Sequence, residues 1–132
     1  DVWVAPTLAT GDGWIATMRH IAREARCYVI GVNPCTHVDQ IPANFPMRDR
    51  IWNSDRDGVW VEDGNSVIVD PNGEILAGPA REQETILYAD IDITNVHAAR
   101  RFVDPTGHYN RPDVFHLSVD TRVRPAVTFG VD

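Results

Sequence analysis

The stretch WIATMRHIAREARCYVIGVN, residues 14–33, decides the fold of this 132-residue chain. Apolar residues recur at helical spacing through residues 14–26, while polar residues occupy the remaining surface. Residues 27–32 then form an unbroken apolar run, which predicts a strand buried on both faces. A helix that leads directly into a buried strand indicates a layered α/β domain.

The segments on either side of this stretch extend the α/β pattern. Upstream, residues 2–5 predict a short strand that ends at Pro6-Thr7, and residues 10–13 supply breakers and a helix cap. Downstream, residues 33–62 lose all periodicity and predict a long irregular loop. Loops of this length are usually functional or disordered.

A hairpin is predicted after that loop. Residues 66–69 form a strand, and Asp70-Pro-Asn-Gly73 has the residue types of a type I turn that ends in a left-handed glycine. Residues 74–77 are the return strand, so two antiparallel strands follow the loop.

The last third of the chain predicts three further elements. These are a strand over residues 85–91, a helix over residues 95–102 capped by Thr94, and a strand over residues 115–119. Between the last two, Pro105 and Gly107 turn the chain. The segment 104–120 is therefore interpreted as architectural.

Composition limits the partners of the chain. The net charge is −7 and the pI is about 5.0, which argues against nucleic acid as a partner. The sequence has no apolar run of membrane-spanning length and no secretion-like leader, so we expect no membrane partner and a cytoplasmic location. Cys27 and Cys35 are expected to be reduced thiols.

Lysine is missing from the sequence, because all 12 cationic residues are arginine. A mechanism that needs a lysine amine therefore cannot run on this chain alone. The chain opens at Asp1 on a strand-like run, and we expect it to start inside a fold.

Three groups of residues are candidates for chemistry from the residues alone. His108, Asp113 and His116 resemble a metal ligand set, but Pro112 breaks the helical spacing, so no metal site is predicted. Cys27 lies in an apolar run, which is typical of a small buried hydrophobe. The third group is Cys35 with His37, either a thiolate–imidazole pair or two unrelated loop residues.

Several motifs resemble the second half of the nitrilase branch of the carbon–nitrogen hydrolases. They occur in the family's order and cover most of the chain. They are APT at 5–7, WIATMRHIAREARCYVIGVN at 14–33, GNSVIVDPNGEILAGP at 64–79, LYADIDI at 87–93 and GHYNRPDVFHLSV at 107–119. The resemblance implies part of an α-β-β-α sandwich, which agrees with the predicted strands and helices.

The resemblance also implies a mechanism whose catalytic residues lie outside this chain. Nitrilases use a Glu–Lys–Cys triad in which cysteine attacks the nitrile carbon, glutamate moves protons and lysine stabilises the charged intermediate. In the family, those residues precede the segment that corresponds here to residues 2–5. Cys27 matches a different cysteine of the family, so no catalytic residue is assigned here, and neither a metal nor a cofactor is expected.

The far wall of the substrate site is what this chain is expected to supply. The resemblance places Thr7, Asn33 and Pro34 at strand ends on one rim, where ligands of layered α/β folds gather. Thr7 and Asn33 either contact substrate or serve as turn and cap residues. Trp52 and Trp60, in the irregular loop, either select substrate by size or anchor the loop.

One departure from the family concerns the hairpin. Family members often have Gly-Gly-Ser before its first strand, whereas this chain has Gly64-Asn65-Ser66. Asn65 is therefore expected to bear on the local backbone geometry.

The predicted function is that of a C-terminal segment, residues 1–120, of a nitrilase that converts a nitrile into a carboxylic acid and ammonia, followed by a tail, residues 121–132. The chain alone is predicted to be inactive. The alternatives are an amidase of the same superfamily or a non-catalytic assembly module. The expected partners are a small-molecule nitrile, the N-terminal half of the domain and further copies of the same subunit.

Overall fold

A five-stranded mixed sheet forms the centre of the molecule. The computed structural model describes residues 1–9, 11–51, 59–104, 107–127 and 130. In chain order the elements are β1 (Val2–Pro6), α1 (Gly11–Ala25), β2 (Tyr28–Val32), β3 (Cys35–His37), a 3₁₀ turn (Val38–Gln40), α2 (Arg48–Ile51), β4 (Trp60–Val69), β5 (Ile75–Arg81) and α3 (Thr94–Arg100). Strands β1, β2, β4 and β3 are neighbours in that order, and β5 also pairs with β4.

The first three elements form a parallel β-α-β unit, as predicted from the stretch 14–33. β1 and β2 run parallel, with Val4 opposite Ile30. Helix α1 connects them and buries Ile15, Met18 and Ala22 at helical spacing. The mixed α/β class predicted from the sequence is therefore confirmed.

The core lies between α1 and the sheet. Met18 and Ala22 of the helix pack with Val29 of β2 and Val67 of β4, and all four are fully buried. Gly31 permits this close approach, because a β-carbon there would lie 3.3 Å from the side chains of both Met18 and Val67. The helix therefore packs directly on the strands that it joins.

The predicted hairpin is confirmed, with longer strands than expected. The Gly73 amide donates to the Asp70 carbonyl at 3.0 Å, and the Asp70 side chain accepts from the Asn72 and Glu74 amides at 2.9 and 2.8 Å. Gly73 has a φ of 87°, the left-handed conformation that the turn requires. The sequence therefore encodes this turn locally.

Strands β2 and β3 are one interrupted strand along a single edge of β4. Gly31 lies opposite Val67, and Cys35, four residues later, lies opposite Asp63, which is four residues before Val67. Both segments therefore share one antiparallel register.

The interruption has two causes. The shared register places Asn33 opposite Asn65, but no ladder pairing joins these two residues. Pro34 has no amide hydrogen to donate. Asn65 has a φ of 77°, which turns its backbone out of the regular strand conformation. Asparagine tolerates this conformation better than most residues, which explains how the chain accommodates Asn65 beside Gly64.

Helix α3 lies on the sheet face opposite α1. Val29 packs in the core under α1, so its neighbour Tyr28 points to the other face. The Tyr28 hydroxyl donates to the Asp92 carbonyl at 2.9 Å and accepts from the Asn95 side chain at 3.2 Å. Helices therefore cover both faces of the β2 region.

Two sequence predictions about regular structure were wrong in part. The segment 33–62 was predicted to be irregular, but it contains β3, the 3₁₀ turn, α2 and the first residues of β4. The prediction missed them because short elements have too few residues to produce a periodic signal. Thr94 begins α3 and its side chain does not cap it. Instead, the Asp92 carboxylate accepts the Thr94 amide at 2.8 Å.

The predicted strands at 85–91 and 115–119 do not form. Leu87 and Ala89 are half-buried while their neighbours are exposed, so the alternation is present without a ladder partner in the described part of the chain. Phe115 and Leu117 are 75% and 85% exposed. Period-two alternation reports an extended backbone, and pairing needs a neighbouring strand as well.

Among the described residues, none of the helices combines the length and apolarity needed to span a bilayer.

Replacement of Gly64 should test the strain at the interruption. Gly64 has a φ of 87°, and a β-carbon there would lie 2.6 Å from the Ala80 carbonyl oxygen. Gly64→Ala is expected to lower the free energy of unfolding by about 2 kcal/mol or more, measured by urea denaturation.

Gly13→Ala is the matched control, because a β-carbon there meets nothing within 4 Å. It should leave stability unchanged or raise it by up to about 1 kcal/mol, since alanine favours helix. Equal losses in both variants would contradict the predicted strain.

Candidate functional site

A cavity of about 250 Å³ opens at the interruption between β2 and β3. Its wall is formed by residues 33–35, by Gly64 and Ser66 of β4, by Ala80 of β5 and by residues 83–85. The cavity therefore lies at the carboxyl end of a parallel strand, where open α/β sheets bind their ligands.

Asn33 is the most unusual residue of the cavity wall. It is 7% exposed, and neither the nitrogen nor the oxygen of its side-chain amide has a hydrogen-bond partner among the described residues. Buried polar groups are nearly always paired, so an amide left open in this way is available to a ligand. The amide offers one donor group and one acceptor group at the same place.

Ser66 holds the Asn33 backbone in place. Its hydroxyl accepts the Asn33 amide at 3.0 Å and donates to the Asn33 carbonyl at 3.2 Å. These two bonds replace the ladder pair that Asn65 does not make. The Asn33 side chain is therefore left without a structural task, which argues against the interpretation of Asn33 as a simple cap.

Thr7 lies next to this site at the end of β1. Its amide donates to the Val32 carbonyl at 3.0 Å, which extends the parallel pairing by one residue. Its hydroxyl accepts the Ala9 amide at 3.1 Å, so the side chain stabilises a turn. The structure thus brings Thr7, Asn33 and Pro34 to one rim, with the last two in the cavity wall.

Of the two tryptophans predicted to select substrate or anchor the loop, Trp60 is described by the structure and Trp52 is not. Trp60 is half-buried in β4 and packs edge-to-face on His37, with 5.0 Å between ring centroids. This contact favours the interpretation of Trp60 as an anchor, and Trp60 is not part of the cavity wall. Trp52 lies outside the described residues.

The cysteines differ in their surroundings. Cys27 is buried in the core, as expected of a small hydrophobe, and burial raises the pKa of its thiol. Cys35 is half-buried in the cavity wall. His37 contacts Trp60 and accepts the Asp39 amide at 3.3 Å, and no bond to Cys35 is found in the described part of the chain. The geometry thus favours unrelated roles for Cys35 and His37.

None of the described residues of the segment 104–120 forms part of the cavity wall. Arg111 makes a bidentate pair with Asp113 at 2.7 and 2.6 Å, and these bonds lower the pKa of the Asp113 carboxyl. His108 packs edge-to-face on Tyr109. Across the described ranges, no group of three or more His, Cys, Asp or Glu is placed to hold a metal ion.

Sequence reasoning missed two residues of the site, Ser66 and Glu84. Ser66 acts on Asn33 across 33 positions of sequence, so nothing local marks it. Glu84 lies in the cavity wall, but in an acidic sequence it looked like an ordinary surface carboxylate. Finding Ser66 needed the shared register of β2 and β3 with β4, and finding Glu84 needed the course of the chain after β5.

A comparison with protein families finds the carbon-nitrogen hydrolase family over residues 3–101. Several curated relatives match nearly the whole chain, and three illustrate the range. A nitrilase of Bradyrhizobium diazoefficiens is 43% identical over 97% of it, an aliphatic nitrilase of Sinorhizobium fredii is 41% identical over 96%, and a bifunctional nitrilase/nitrile hydratase of Lupinus angustifolius is 37% identical over 98%.

The chain spans about two-fifths of the length of these relatives, 39%, 40% and 37% respectively. Among solved structures, a carbon-nitrogen hydrolase from Helicobacter pylori matches 86% of the chain and 39% of its own length, with a TM-score of 0.58 and 21% identity. This match shows the fold, which agrees with the sandwich that the resemblance to the family implies.

Loss of the Ser66 hydroxyl should destabilise the chain. Ser66→Ala removes the partner of both backbone groups of Asn33, and the free energy of unfolding should fall by about 1–3 kcal/mol in urea denaturation. The control is Ser118→Ala, because Ser118 is exposed and its loss should change stability by less than about 0.5 kcal/mol. Indistinguishable effects of the two variants would refute this role of Ser66.

Proposed function

The chain belongs to the carbon–nitrogen hydrolase family, and we propose that the polypeptide carrying it hydrolyses a nitrile to a carboxylic acid and ammonia. The observation that carries this proposal is the Asn33 amide, which has no partner among the described residues and lies in a cavity at a strand end. The chain around it is similar to nitrilases over nearly all its residues. The site offers hydrogen bonds to a small polar group, which suits a nitrile and its hydrolysis products.

The catalytic triad belongs to the part of the polypeptide outside these 132 residues. A cysteine nucleophile attacks the nitrile carbon, a glutamate transfers protons, and a lysine stabilises the charge that develops. Lysine does not occur in this chain. The chain alone is therefore proposed to be inactive.

The residues of this chain form the wall opposite the triad. Asn33 binds the polar atoms of the reacting group, Ser66 fixes the Asn33 backbone, and Pro34 closes the cavity beside it. Thr7 stabilises the adjacent turn and lies within reach of the same rim. Trp52 and Trp60 belong to the proposed specificity region. Trp60 acts there as an anchor, because its edge-to-face contact with His37 joins the start of β4 to β3.

The remainder of the domain is proposed to cover β1. Strand β1 is at the end of the strand order, and its Val2, Trp3 and Val4 are 40%, 41% and 56% exposed. Within the described residues this edge of β1 is unpaired, and an unpaired edge with apolar side chains calls for a further strand. We assign residues 1–120 to the C-terminal part of the hydrolase domain and residues 121–132 to a tail.

Two further assignments complete the proposal. The subunits associate into homo-oligomers, since apolar side chains at many positions are exposed on the isolated chain. The protein works in the cytoplasm, which fits the free thiols of Cys27 and Cys35.

Amide chemistry is the second candidate function. The Asn33 amide has one donor group and one acceptor group, which is the complement of a carboxamide. The Lupinus relative is named for both nitrilase and nitrile hydratase activity, and hydration of a nitrile yields an amide. An amide is thus either a second product or a substrate of the same site.

Nitrile turnover and the role of Asn33 are tested together. The polypeptide that carries this chain, extended by its upstream coding sequence, should release ammonia from benzonitrile, phenylacetonitrile or an aliphatic nitrile. Asn33→Ala should lower kcat/KM by about three- to tenfold, the value of one hydrogen bond. Asn72→Ala is the matched control, because Asn72 is exposed at the hairpin turn and should leave kcat/KM unchanged.

The products separate the candidate functions. Carboxylic acid and ammonia in equal amounts support nitrilase activity, and accumulation of amide supports the second candidate. Absence of either product from all three nitriles would leave the assembly module as the better hypothesis.

Association of the isolated chain is also testable. At about 25 cal/mol per Å², some 600 Å² of uncovered apolar surface forfeits on the order of 15 kcal/mol. The purified 132-residue chain should therefore sediment as oligomers or aggregates, and co-expression with the upstream segment should solubilise it. A compact monomer that unfolds cooperatively at micromolar concentration would contradict this expectation.

A further inference from the structure

The cavity beside Asn33 is acidic. Glu84 is in its wall, and the wall contains no arginine or histidine within the described ranges. Asp63 lies opposite Cys35 on β4, and Glu82 is two residues from Glu84. Glu84 therefore contributes a carboxylate to the wall of a cavity of about 250 Å³, and Asp63 and Glu82 lie close to the same wall without forming part of it.

The neighbouring cation does not neutralise these carboxylates. The guanidinium of Arg81 is bonded to the Asp12 carboxylate of α1. Asp63 accepts a hydrogen bond from the neutral amide of Asn65 at 2.8 Å. Glu82 and Glu84 make no ion pair in the part of the chain that the structure describes. The negative charge thus remains available to a ligand.

The negative charge near the cavity affects the pKa of the Cys35 thiol, which is part of the cavity wall. Burial raises the pKa of its thiol, and the carboxylates of Asp63, Glu84 and Glu82 raise the pKa further, against a hydrogen bond from the Gln83 amide that lowers it. The carboxylates that disfavour a negative charge on the Cys35 thiolate also disfavour a negatively charged ligand in the cavity.

The Asn33 side chain gives independent evidence that the acidic cavity receives a ligand. It is more than nine-tenths buried, at 7% exposure, and both of its polar atoms lack a partner among the described residues. An amide binds a polar ligand of either charge, so the discrimination between charges falls to the carboxylates.

We propose that Glu84 makes this cavity selective for nitriles that carry an ammonium group, and unfavourable for nitriles that carry a carboxylate. The inference rests on the proposed nitrile hydrolysis. A cation at the distal end of the substrate is attracted to Glu84, whereas an anion is repelled over the same distance. Among the carboxylates near Cys35, Glu84 is the one in the cavity wall, so it is the specificity-determining residue.

The first experiment measures the charge of the cavity without requiring turnover. In the polypeptide extended by its upstream coding sequence, Cys35 is labelled with methanethiosulfonates that carry a trimethylammonium or a sulfonate group, and the label on residue 35 is quantified by peptide mass spectrometry. In each reaction the thiolate forms a disulfide and methanesulfinate leaves. Glu84→Gln should lower the ratio of cationic to anionic labelling rates about three- to tenfold. A change in thiol pKa alters both rates equally and cancels in the ratio.

Two controls make the labelling specific. Cys35→Ser should abolish the labelling measured at position 35, and Cys27 should stay unlabelled because it is buried. Glu24→Gln removes a carboxylate that pairs with His20 on α1 and is not part of the cavity wall, and it should leave the ratio unchanged. An equal ratio in the unchanged chain and in Glu84→Gln would overturn the proposal.

The second experiment measures substrate selection in the nitrile-hydrolysing polypeptide. The ratio of kcat/KM for 4-aminobutyronitrile to that for 4-cyanobutanoate should exceed one and fall about three- to tenfold in Glu84→Gln. Turnover of neutral pentanenitrile tests the proposed function separately. A ratio that Glu84→Gln does not change, with pentanenitrile turned over, would overturn the charge selection alone. If pentanenitrile is not turned over, the proposed function fails and the labelling ratio still decides the charge of the cavity.

Discussion

The interruption of one β-ladder organises this molecule. β2 and β3 pair with the same edge of β4 in one register, but Pro34 cannot donate a hydrogen bond and Asn65 has a left-handed backbone. Where a sheet lacks one pair of ladder hydrogen bonds in its interior, the backbone N–H and C=O groups at that position need other partners. The Ser66 hydroxyl bonds to both backbone groups of Asn33, and the cavity lies at this interruption. Fold and candidate site thus have one origin.

The sequence predicted the elements whose signal is local. Helix α1 has apolar residues at helical spacing over four turns, and the hairpin turn at Asp70 has the residue that each position requires. The strands predicted at 85–91 and 115–119 were wrong because alternation is local but pairing is not. The short elements between Asn33 and Trp60 have no periodic signal at all.

The site was less predictable than the fold. Asn33 and Pro34 were identified from a resemblance that places strand ends on one rim, and the structure puts both in one cavity wall. Their contact with substrate remains a prediction. Ser66 and Glu84 needed knowledge of register and of the course of the chain after β5, which are long-range properties. A lone buried asparagine becomes informative once its missing partners are known.

The common register of β2 and β3 also restricts how the length of the chain can vary. With one residue inserted between Gly31 and Pro34, an unbroken register would shift β3 by one position and place Pro34 opposite Asp63. Cys35 would then lie opposite Glu62 and its thiol would turn to the other face of the sheet. Insertions and deletions are therefore excluded from this short connection, whereas the segment beyond β3 has no such register to preserve. Over evolutionary time, variation in loop length should accumulate after His37 and spare the three residues that precede Cys35.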